Sequence, residues 1–188
     1  MMTAFRNKAE MVDVLLKAGA NPNLRDLDYG LPTLRYAGMQ NSSRITELLL
    51  NAGANPNQRD NNGDTNLMWA ATSGYSQIIK LLLKYGADPN VKRKDGSVAL
   101  SSAVHNAKSA SVKALLDGGA DPNIRGKNNF TELMFASSLG YTDIVKMLLA
   151  AGANPNIVDS SRMTAMQYAN ERGYKNTVAI LIQYGAKH

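Results

Sequence analysis

Gly53-Ala54-Asn55-Pro56-Asn57 is one copy of a string that recurs along the chain and decides its architecture. Related strings, with Asn or Asp at the third position, occupy residues 19–23, 86–90, 119–123 and 152–156, and Gly185-Ala186 continues the series. Their starts are 34, 33, 33, 33 and 33 residues apart, and five of the six prolines lie inside them. A fixed period of this length is typical of proteins built from stacked structural repeats.

Residues 60–90 show what one repeat contains. Asp60 to Gly63 are turn residues, because Asn, Asp and Gly accept positive φ and bond to their own backbone. Thr65 stands at a helix N-cap, and Gly74 stands where a short helix would close in the left-handed conformation. A second helix is predicted up to Gly86, because its apolar residues fall on one face. Each repeat is therefore predicted to be a turn followed by a hairpin of two short helices.

This pattern resembles the ankyrin repeat, and the resemblance covers nearly the whole chain. The motif that carries it is Gly63-x-Thr65-x-Leu67-x-x-Ala70-Ala71-x-x-Gly74-Tyr75, then Ile79-x-x-Leu82-Leu83-x-x-Gly86-Ala87-Asp88-x-Asn90. The resemblance implies an all-α solenoid of stacked helix-turn-helix units with β-hairpin loops. On this basis, residues 1–188 are predicted to form a single domain with a partial repeat 1–23 and full repeats 24–57, 58–90, 91–123, 124–156 and 157–188. No repeat keeps both the proline and the histidine of the family's Thr-Pro-Leu-His, which implies lower local stability than in consensus repeats.

The composition of the chain excludes several classes of protein. Of its 188 residues, 44% are hydrophobic and 19% charged, which favours a folded protein. Cysteine is absent and only two histidines occur, so disulfides, thiolate zinc sites and histidine metal sites are not predicted. No apolar run approaches the roughly 20 residues that span a bilayer, and the first residues lack the apolar stretch of a secretory signal. We therefore predict a cytoplasmic protein without a metal or other cofactor.

Two repeats depart from the pattern. The hairpin that holds Leu27, Asp28 and Tyr29 has one residue more than its neighbour, so we expect it to protrude. In repeat 91–123, which we call the middle repeat, Ala107 replaces the glycine that ends the first helix, and Ser101-Ser102 replace larger groups. Alanine at positive φ costs about 1 kcal/mol. The middle repeat is therefore predicted to be the least stable of the stack.

The two ends of the sequence are less polar than the caps that a solenoid needs. Residues 2–6 align with the end of a first helix, so the chain is predicted to begin within a repeat. The last helix, around residues 178–182, is more apolar than the equivalent helices before it. These features favour a segment of a longer array. The alternative is that one end packs on something else, such as another copy of the chain. The predicted oligomeric state is a monomer or a weak end-to-end association.

The sequence contains no recognisable catalytic site. Asp26, Asp60 and Asp159 recur at one hairpin position, where the resemblance implies a structural role. His105 has neither a nucleophile nor an orienting carboxylate in view, so it is predicted to be a surface histidine. The recurring glycines do not form a phosphate-binding loop, because no Gly-x-x-x-x-Gly-Lys-Ser/Thr pattern occurs. We predict that the chain is not an enzyme.

A row of basic residues follows the hairpins. Its members at one repeat position are Arg25, Arg59, Lys92 and Arg125, with Arg93, Lys94 and Lys127 beside them. The net charge of +6 is modest. The row could contact an acidic partner, or its members could pair only with neighbouring acids, since isolated surface charges contribute little to binding.

A second row, on the first helices, consists of Tyr36, Trp69, Ser102, Phe135 and Tyr168, with Arg35 beside it. Aromatic residues and arginine are enriched at binding hot spots, although such rings can also pack one repeat against the next. Phe130 and Met163 are predicted at hairpin tips, where a role in the core is harder to assign. The predicted partner-binding set is Arg25, Tyr29, Arg35, Tyr36, Arg59, Trp69, Lys92, Arg93, Lys94, His105, Arg125, Lys127, Phe130 and Met163.

The resemblance implies a function in binding. The leading hypothesis is a non-catalytic module or scaffold that binds a protein partner through the concave face, formed by hairpin tips and first helices. The alternative is an acidic or nucleic-acid ligand on the basic row, although repeats about 10 Å apart by family analogy are too widely spaced for successive bases. The motif variants also resemble ankyrin proteins of host-associated bacteria. This resemblance adds the targeting domain of a larger bacterial effector, acting in the host cell cytoplasm, as a further alternative.

Overall fold

The computed structural model describes residues 9–187, which contain eleven α-helices. A single helix comes first, and five pairs of short helices follow it. The bounds are α1 Ala9–Lys17, α2 Thr33–Met39, α3 Ser43–Asn51, α4 Asn66–Ser73, α5 Ser76–Lys84, α6 Ala99–His105, α7 Ser109–Asp117, α8 Glu132–Ser138, α9 Thr142–Ala150, α10 Ala165–Glu171 and α11 Lys175–Gln183. Residues 2–6, predicted to end a first helix, lie outside the described part. No helix of residues 9–187 is long and apolar enough to cross a membrane.

The first helix of most pairs begins at a hydroxyl cap. The side chains of Thr65, Thr131 and Thr164 each accept a hydrogen bond from the backbone N–H three residues later, at 3.3 Å. These bonds satisfy donors that a helix start leaves unpaired. Val98 occupies the same position before α6 and cannot accept such a bond. Helix α6 therefore starts without the side-chain cap that α4, α8 and α10 have.

The helices form two layers, in which first helices contact first helices and second helices contact second helices. Small residues allow the inner layer to pack closely, and Ala70 and Ala71 are fully buried. The second helices contribute branched apolar side chains such as Ile79, Leu82 and Leu115, which are also fully buried. The core is thus one continuous strip between the two layers, as expected when each repeat buries its apolar faces against its neighbours.

The hairpins between repeats are narrow turns. Single antiparallel bridges join Arg25 to Pro32, Arg59 to Thr65 and Arg125 to Thr131, and no strand forms within residues 9–187. Neighbouring hairpin tips are also joined, because Asn61 N donates to Tyr29 O at 3.2 Å and Ser160 N to Asn128 O at 2.8 Å. The expected β-hairpin loops are therefore reduced to isolated bridges.

Each turn asparagine of the recurring string makes two hydrogen bonds to the next repeat. Asn123 Nδ2 donates to Gly152 O at 3.0 Å, and its Oδ1 accepts from Asn154 N at 2.8 Å. The same two bonds are made by the asparagines at 23, 57, 90 and 156. One side chain thus satisfies a backbone donor and a backbone acceptor of the following turn, which fixes the register between repeats.

The middle repeat is strained at the end of its first helix. Ala107 adopts φ 50°, a region that favours glycine, and the equivalent Gly74 has φ 82°. The hydroxyl of Ser111 in α7 is buried without a hydrogen-bond partner in the described structure. With the missing side-chain acceptor at Val98, three local features oppose the stability of this repeat. That it is the least stable of the stack stays a prediction.

We predict that Asn123→Ala lowers the free energy of unfolding by about 1–2 kcal/mol, because two hydrogen bonds between repeats are lost. The matched control is Asn154→Ala at the same interface, since Asn154 Oδ1 accepts only from Asn156 N of its own turn. Urea denaturation followed by circular dichroism gives both values. An equal loss for the two variants would contradict the role assigned to the bridge between repeats.

We predict that Ala107→Gly raises the free energy of unfolding by about 0.5–1 kcal/mol, because glycine adopts positive φ without strain. The control is Ala110→Gly, which lies in helix α7 and should lower stability by a similar amount. Amide hydrogen exchange should show that the gain in protection is largest in residues 99–117. The idea fails if the two substitutions shift stability in the same direction.

Candidate binding surface

The hairpins and the first helices α2, α4, α6, α8 and α10 form one surface, which we call the hairpin face. Every residue of the predicted binding set belongs to these elements or directly follows one. The structure places some of these side chains at the surface and uses others to hold the repeats together. The two groups are distinguished below by exposure and by hydrogen-bond partners.

The arginines of the basic row are engaged with backbone. Arg25 donates through its guanidinium to the carbonyl of Arg59, and Arg59 Nη1 donates to the carbonyl of Lys92 at 3.1 Å. Each arginine therefore crosses to the next hairpin of the stack. The alternative that these side chains pair with neighbouring acids is wrong for both, since their partners are carbonyl oxygens. Their heads remain exposed but already have a structural role.

Arg35 is buried, which corrects its place in the predicted binding set. Its exposure is 5%, and its Nη2 lies 3.2 Å from Asp60 Oδ2 of the following repeat. Its guanidinium carbon lies 5.5 Å from the centre of the Trp69 ring. Burial lowers the pKa of Arg35, while the carboxylate of Asp60 opposes this change. Arg35 packs against the buried side of the Trp69 ring and is not available to a partner.

Trp69 is half-buried, and its ring is held on several sides. Tyr75 meets the ring edge-on, with ring centres 5.4 Å apart. Gly38 leaves room for it, because a Cβ atom there would lie 3.0 Å from Trp69 Cζ3. Trp69 therefore packs one repeat against the next, and part of its side chain stays at the surface. Its role in binding stays a prediction.

The two tyrosines of the aromatic row are bonded to the hairpin of their own repeat. The hydroxyl of Tyr36 donates to Asp26 Oδ2, and that of Tyr168 to Asp159 Oδ2, each at 2.5 Å. These hydrogen bonds, with some burial, raise the pKa of each tyrosine to about 12. The same bonds lower the pKa of both aspartates. The carboxylates thus have the structural role that was expected.

The remaining members of the set lie along the hairpins. Lys92, Lys94, Arg125 and Lys127 are exposed, whereas Arg93 is half-buried and paired with Asp64 of the preceding repeat. Phe130 packs edge-on against Tyr168 of the next repeat, with ring centres 5.4 Å apart. Met163 is half-buried, and Tyr29 is 70% exposed. Phe130 therefore has a packing role that its predicted position at a tip did not suggest.

His105 has a carboxylate partner, contrary to the sequence-based expectation. Its Nε2 lies 3.2 Å from Glu132 Oε2, in a contact that is not aligned as a regular hydrogen bond and that becomes an ion pair when the imidazole is protonated. Its ring also stacks on Phe135, with centres 4.0 Å apart and planes inclined by 32°. The interaction with Glu132 raises the pKa of His105 above its ordinary 6.5, and partial burial opposes this. Sequence reasoning missed Glu132 because it lies one repeat further along the chain.

A groove of about 420 Å³ opens on the hairpin face between α4 and α6. We call it the Ser102 groove, because the small side chain of Ser102 stands where the aromatic row has a ring in the other four repeats. Its lining includes Asp64, Trp69, Arg93, Ser97, Ser102 and His105. The groove brings together three residues of the predicted binding set, Trp69, Arg93 and His105, and neighbours that the set did not include, chiefly Asp64. In the sequence, the serine at position 102 of the aromatic row was the feature that could have predicted this groove.

Together, these observations define a class: a solenoid of stacked helical hairpins with a continuous surface of hairpin tips. The family model for ankyrin repeats (3 copies) matches residues 1–93 and 99–188, and the chain belongs to the ankyrin-repeat family. No protein in the curated set matches its sequence. Proteins of this family are generally interaction modules without catalysis.

Two solved structures are similar over almost their whole length. An ankyrin repeat domain from Acinetobacter baumannii AYE superimposes with a TM-score of 0.91 and 31% identity, covering 99% of this chain and 97% of that one. The ankyrin repeat protein EF0377 gives a TM-score of 0.88 and 31% identity, covering 98% of this chain and 96% of that one. The fold expected from the sequence, a helical ankyrin solenoid, is confirmed.

We predict that Glu132→Gln lowers the pKa of His105, because the neighbouring negative charge is lost. In the parent protein the raised pKa contributes stability that is complete below the unfolded value and is lost as pH rises through the folded value. The free energy of unfolding of the parent should therefore decrease as pH rises from about 6.5, the ordinary pKa of histidine, through the raised pKa of His105, and Glu132→Gln should flatten this slope.

NMR titration in a His188→Gln background isolates the His105 signal, since the sequence contains only these two histidines. His105→Gln serves as the second variant, because it should flatten the same slope while Glu132 remains. An identical His105 titration midpoint with and without the Glu132 carboxylate would show that the contact is not formed in solution.

Proposed function

We propose that this chain is a non-catalytic module that binds a protein partner through its hairpin face. The observation that carries the proposal is the exposure of two side chains of the first hairpin, where Leu27 is 101% and Tyr29 70% exposed. Neither side chain contributes to the apolar core, so folding does not account for them. Exposed apolar and aromatic groups grouped on one surface are typical of protein interaction sites.

The backbone that presents these side chains is held in place. Tyr29 N donates to Asp26 Oδ1 at 2.7 Å, and Tyr29 O accepts from Asn61 N of the next hairpin at 3.2 Å. Asp26 is in turn bonded to Tyr36 of helix α2. A surface that is already ordered loses little conformational entropy when a partner binds. This favours recognition by a preformed face.

A protein partner is favoured over a nucleic acid by the use of the basic row. Arg25 and Arg59 donate hydrogen bonds to backbone carbonyls of the next hairpin, and Arg93 is paired with Asp64. The exposed cations of the basic row that have no such partner in the described structure are Lys92, Lys94, Arg125 and Lys127. Nucleic-acid affinity depends on neutralising many phosphates and falls steeply with salt. Four unpaired cations, spread over two hairpins, give a weak basis for that mode.

We predict that a photo-crosslinking amino acid at position 27 captures a protein partner in cells that contain it, because Leu27 lies fully in solvent on the face assigned to binding. The matched control places the same group at Lys146, which is exposed on the second helix α9. Mass spectrometry of the crosslinked band identifies the partner.

Tyr29→Ala in the Leu27-labelled chain should reduce the yield about tenfold, if Tyr29 contributes the 1–2 kcal/mol of a moderate hot spot. Circular dichroism checks that the fold is unchanged. Capture at Lys146 without capture at Leu27 would place the interface on the opposite layer and reject the proposal. A yield that falls in proportion to salt, with nucleic acid in the crosslinked band, would favour the acidic-ligand alternative instead.

A further inference from the structure

We infer that the Ser102 groove receives a tyrosine side chain of the protein partner, an assignment that depends on the proposed function and specifies its chemistry. The argument comes from the chain itself, which fills the corresponding space with its own tyrosine in two other repeats. Tyr36 and Tyr168 occupy the position of Ser102 in the first and last full repeats. Each lies between its first helix and its hairpin, where its hydroxyl reaches an aspartate.

The middle repeat has the same space without the ring. Ser102 replaces the tyrosine, and Arg93 replaces the aspartate at the equivalent hairpin position. Arg93 turns away to pair with Asp64 of the preceding hairpin, so it does not fill the gap. The result is the opening of about 420 Å³, near the lower end of the roughly 300–1,000 Å³ found for ligand pockets. A single side chain with part of its backbone suits an opening of this size.

Two rings already border the opening. Trp69 lines it from the preceding repeat, and His105 lines it at the end of α6, held there by stacking on Phe135. Aromatic groups pair favourably in offset or edge-on arrangements with centres about 4.5–7 Å apart. A ring inserted beside Ser102 would therefore restore the aromatic row through the middle repeat.

The polar groups of the opening favour a hydroxyl on that ring. Asp95 lines the groove from the same hairpin, and its Oδ1 accepts from Ser97 N at 2.9 Å and Ser97 Oγ at 2.6 Å. In Asp26 and Asp159 the two carboxylate oxygens have separate partners. Oδ1 accepts from backbone N–H groups, and Oδ2 accepts from the tyrosine hydroxyl. Asp95 stands two positions after these aspartates in the repeat. Its Oδ2 atom accepts no hydrogen bond in the described structure, and we assign it as the acceptor for a tyrosine that comes from outside.

The charges of the lining argue against a strongly charged occupant. Two acids, Asp64 and Asp95, and two basic groups, Arg93 and His105, line the groove. Asp64 and Arg93 are paired with each other. An arginine or a glutamate would meet groups of both signs at close range, whereas a neutral phenol meets one acceptor and two ring faces.

The test uses N-acetyl-tyrosine amide as the probe, with the phenylalanine and arginine analogues for comparison. Two-dimensional NMR should show saturable millimolar binding of the tyrosine probe, with shifts at the Trp69 indole N–H and the Ser102 amide. The phenylalanine analogue should bind about 2- to 12-fold more weakly, because it lacks one hydrogen bond. Shifts spread over the whole surface, or equal or tighter binding of either analogue, would overturn the inference.

Three variants sharpen the result. Ser102→Tyr fills the groove from within and should abolish binding of the probe. Thr72→Trp covers it from an exposed position at its rim, so it serves if Ser102→Tyr reduces the helical content. Asp95→Asn keeps the oxygen that Ser97 contacts and removes the second acceptor, so it should erase the difference between tyrosine and phenylalanine probes. Asp121→Asn, an exposed turn aspartate with the same local bond, is the control and should change nothing.

The outcomes separate this inference from the proposed function. Crosslinking at Leu27 without saturable binding of the tyrosine probe would reject the tyrosine site and leave the binding module standing. Probe binding at Trp69 and Ser102 without any crosslinked protein would support the groove as a site for a phenol. It would also reject the protein partner, and therefore the inference that the tyrosine belongs to a protein partner.

Discussion

The paired hydrogen bonds from each turn asparagine to the next repeat are the constraint on which the rest of the structure depends. A helical hairpin of this size buries too little apolar surface to be stable alone, so every repeat needs its neighbour in one register. Asn57, for example, donates to Gly86 O at 2.9 Å and accepts from Asp88 N at 2.8 Å. Because donor and acceptor sit on one short side chain, a shift between repeats would break both bonds together.

Register at the turns determines what the hairpins can do. With the second helices aligned, the hairpin tips lie close enough for Arg25 and Arg59 to reach the next carbonyl and for Arg35 to reach Asp60. The contact between Arg35 and Asp60 is a buried ion pair. Because the desolvation of two charges offsets much of their attraction, the pair adds little net stability, and its role is to position Trp69. The hairpin face is therefore held in place by polar groups that bond to neighbouring repeats, and the side chains that remain outward are those to which we assign binding.

The sequence predicts this fold well and the surface only in part. Period, N-cap threonines and turn glycines are local signals, so the helices, their closing turns and the strained Ala107 follow from the residues themselves. The partners of side chains follow less well, because they lie about one repeat away. Arg35 had the residue type of a hot spot and proved buried, and His105 proved to contact Glu132, 27 positions later by residue number. At that distance a side chain can reach several neighbours, depending on its rotamer. The repeat period does not predict which rotamer, and therefore which partner, is adopted.

The middle repeat combines several features that oppose its own stability with the opening proposed as a binding site. Its Val98 gives no side-chain cap, Ala107 is strained, Ser102 fills little space and Ser111 has an unpaired hydroxyl. Each change opposes stability, yet all occur in the repeat that borders the groove. Stability in a repeat array is a sum over repeats and their interfaces, so α4 and α8 can hold α6 in place through contacts on both sides. Losses that gather around one surface opening are what is expected where binding, rather than folding, determines the residues.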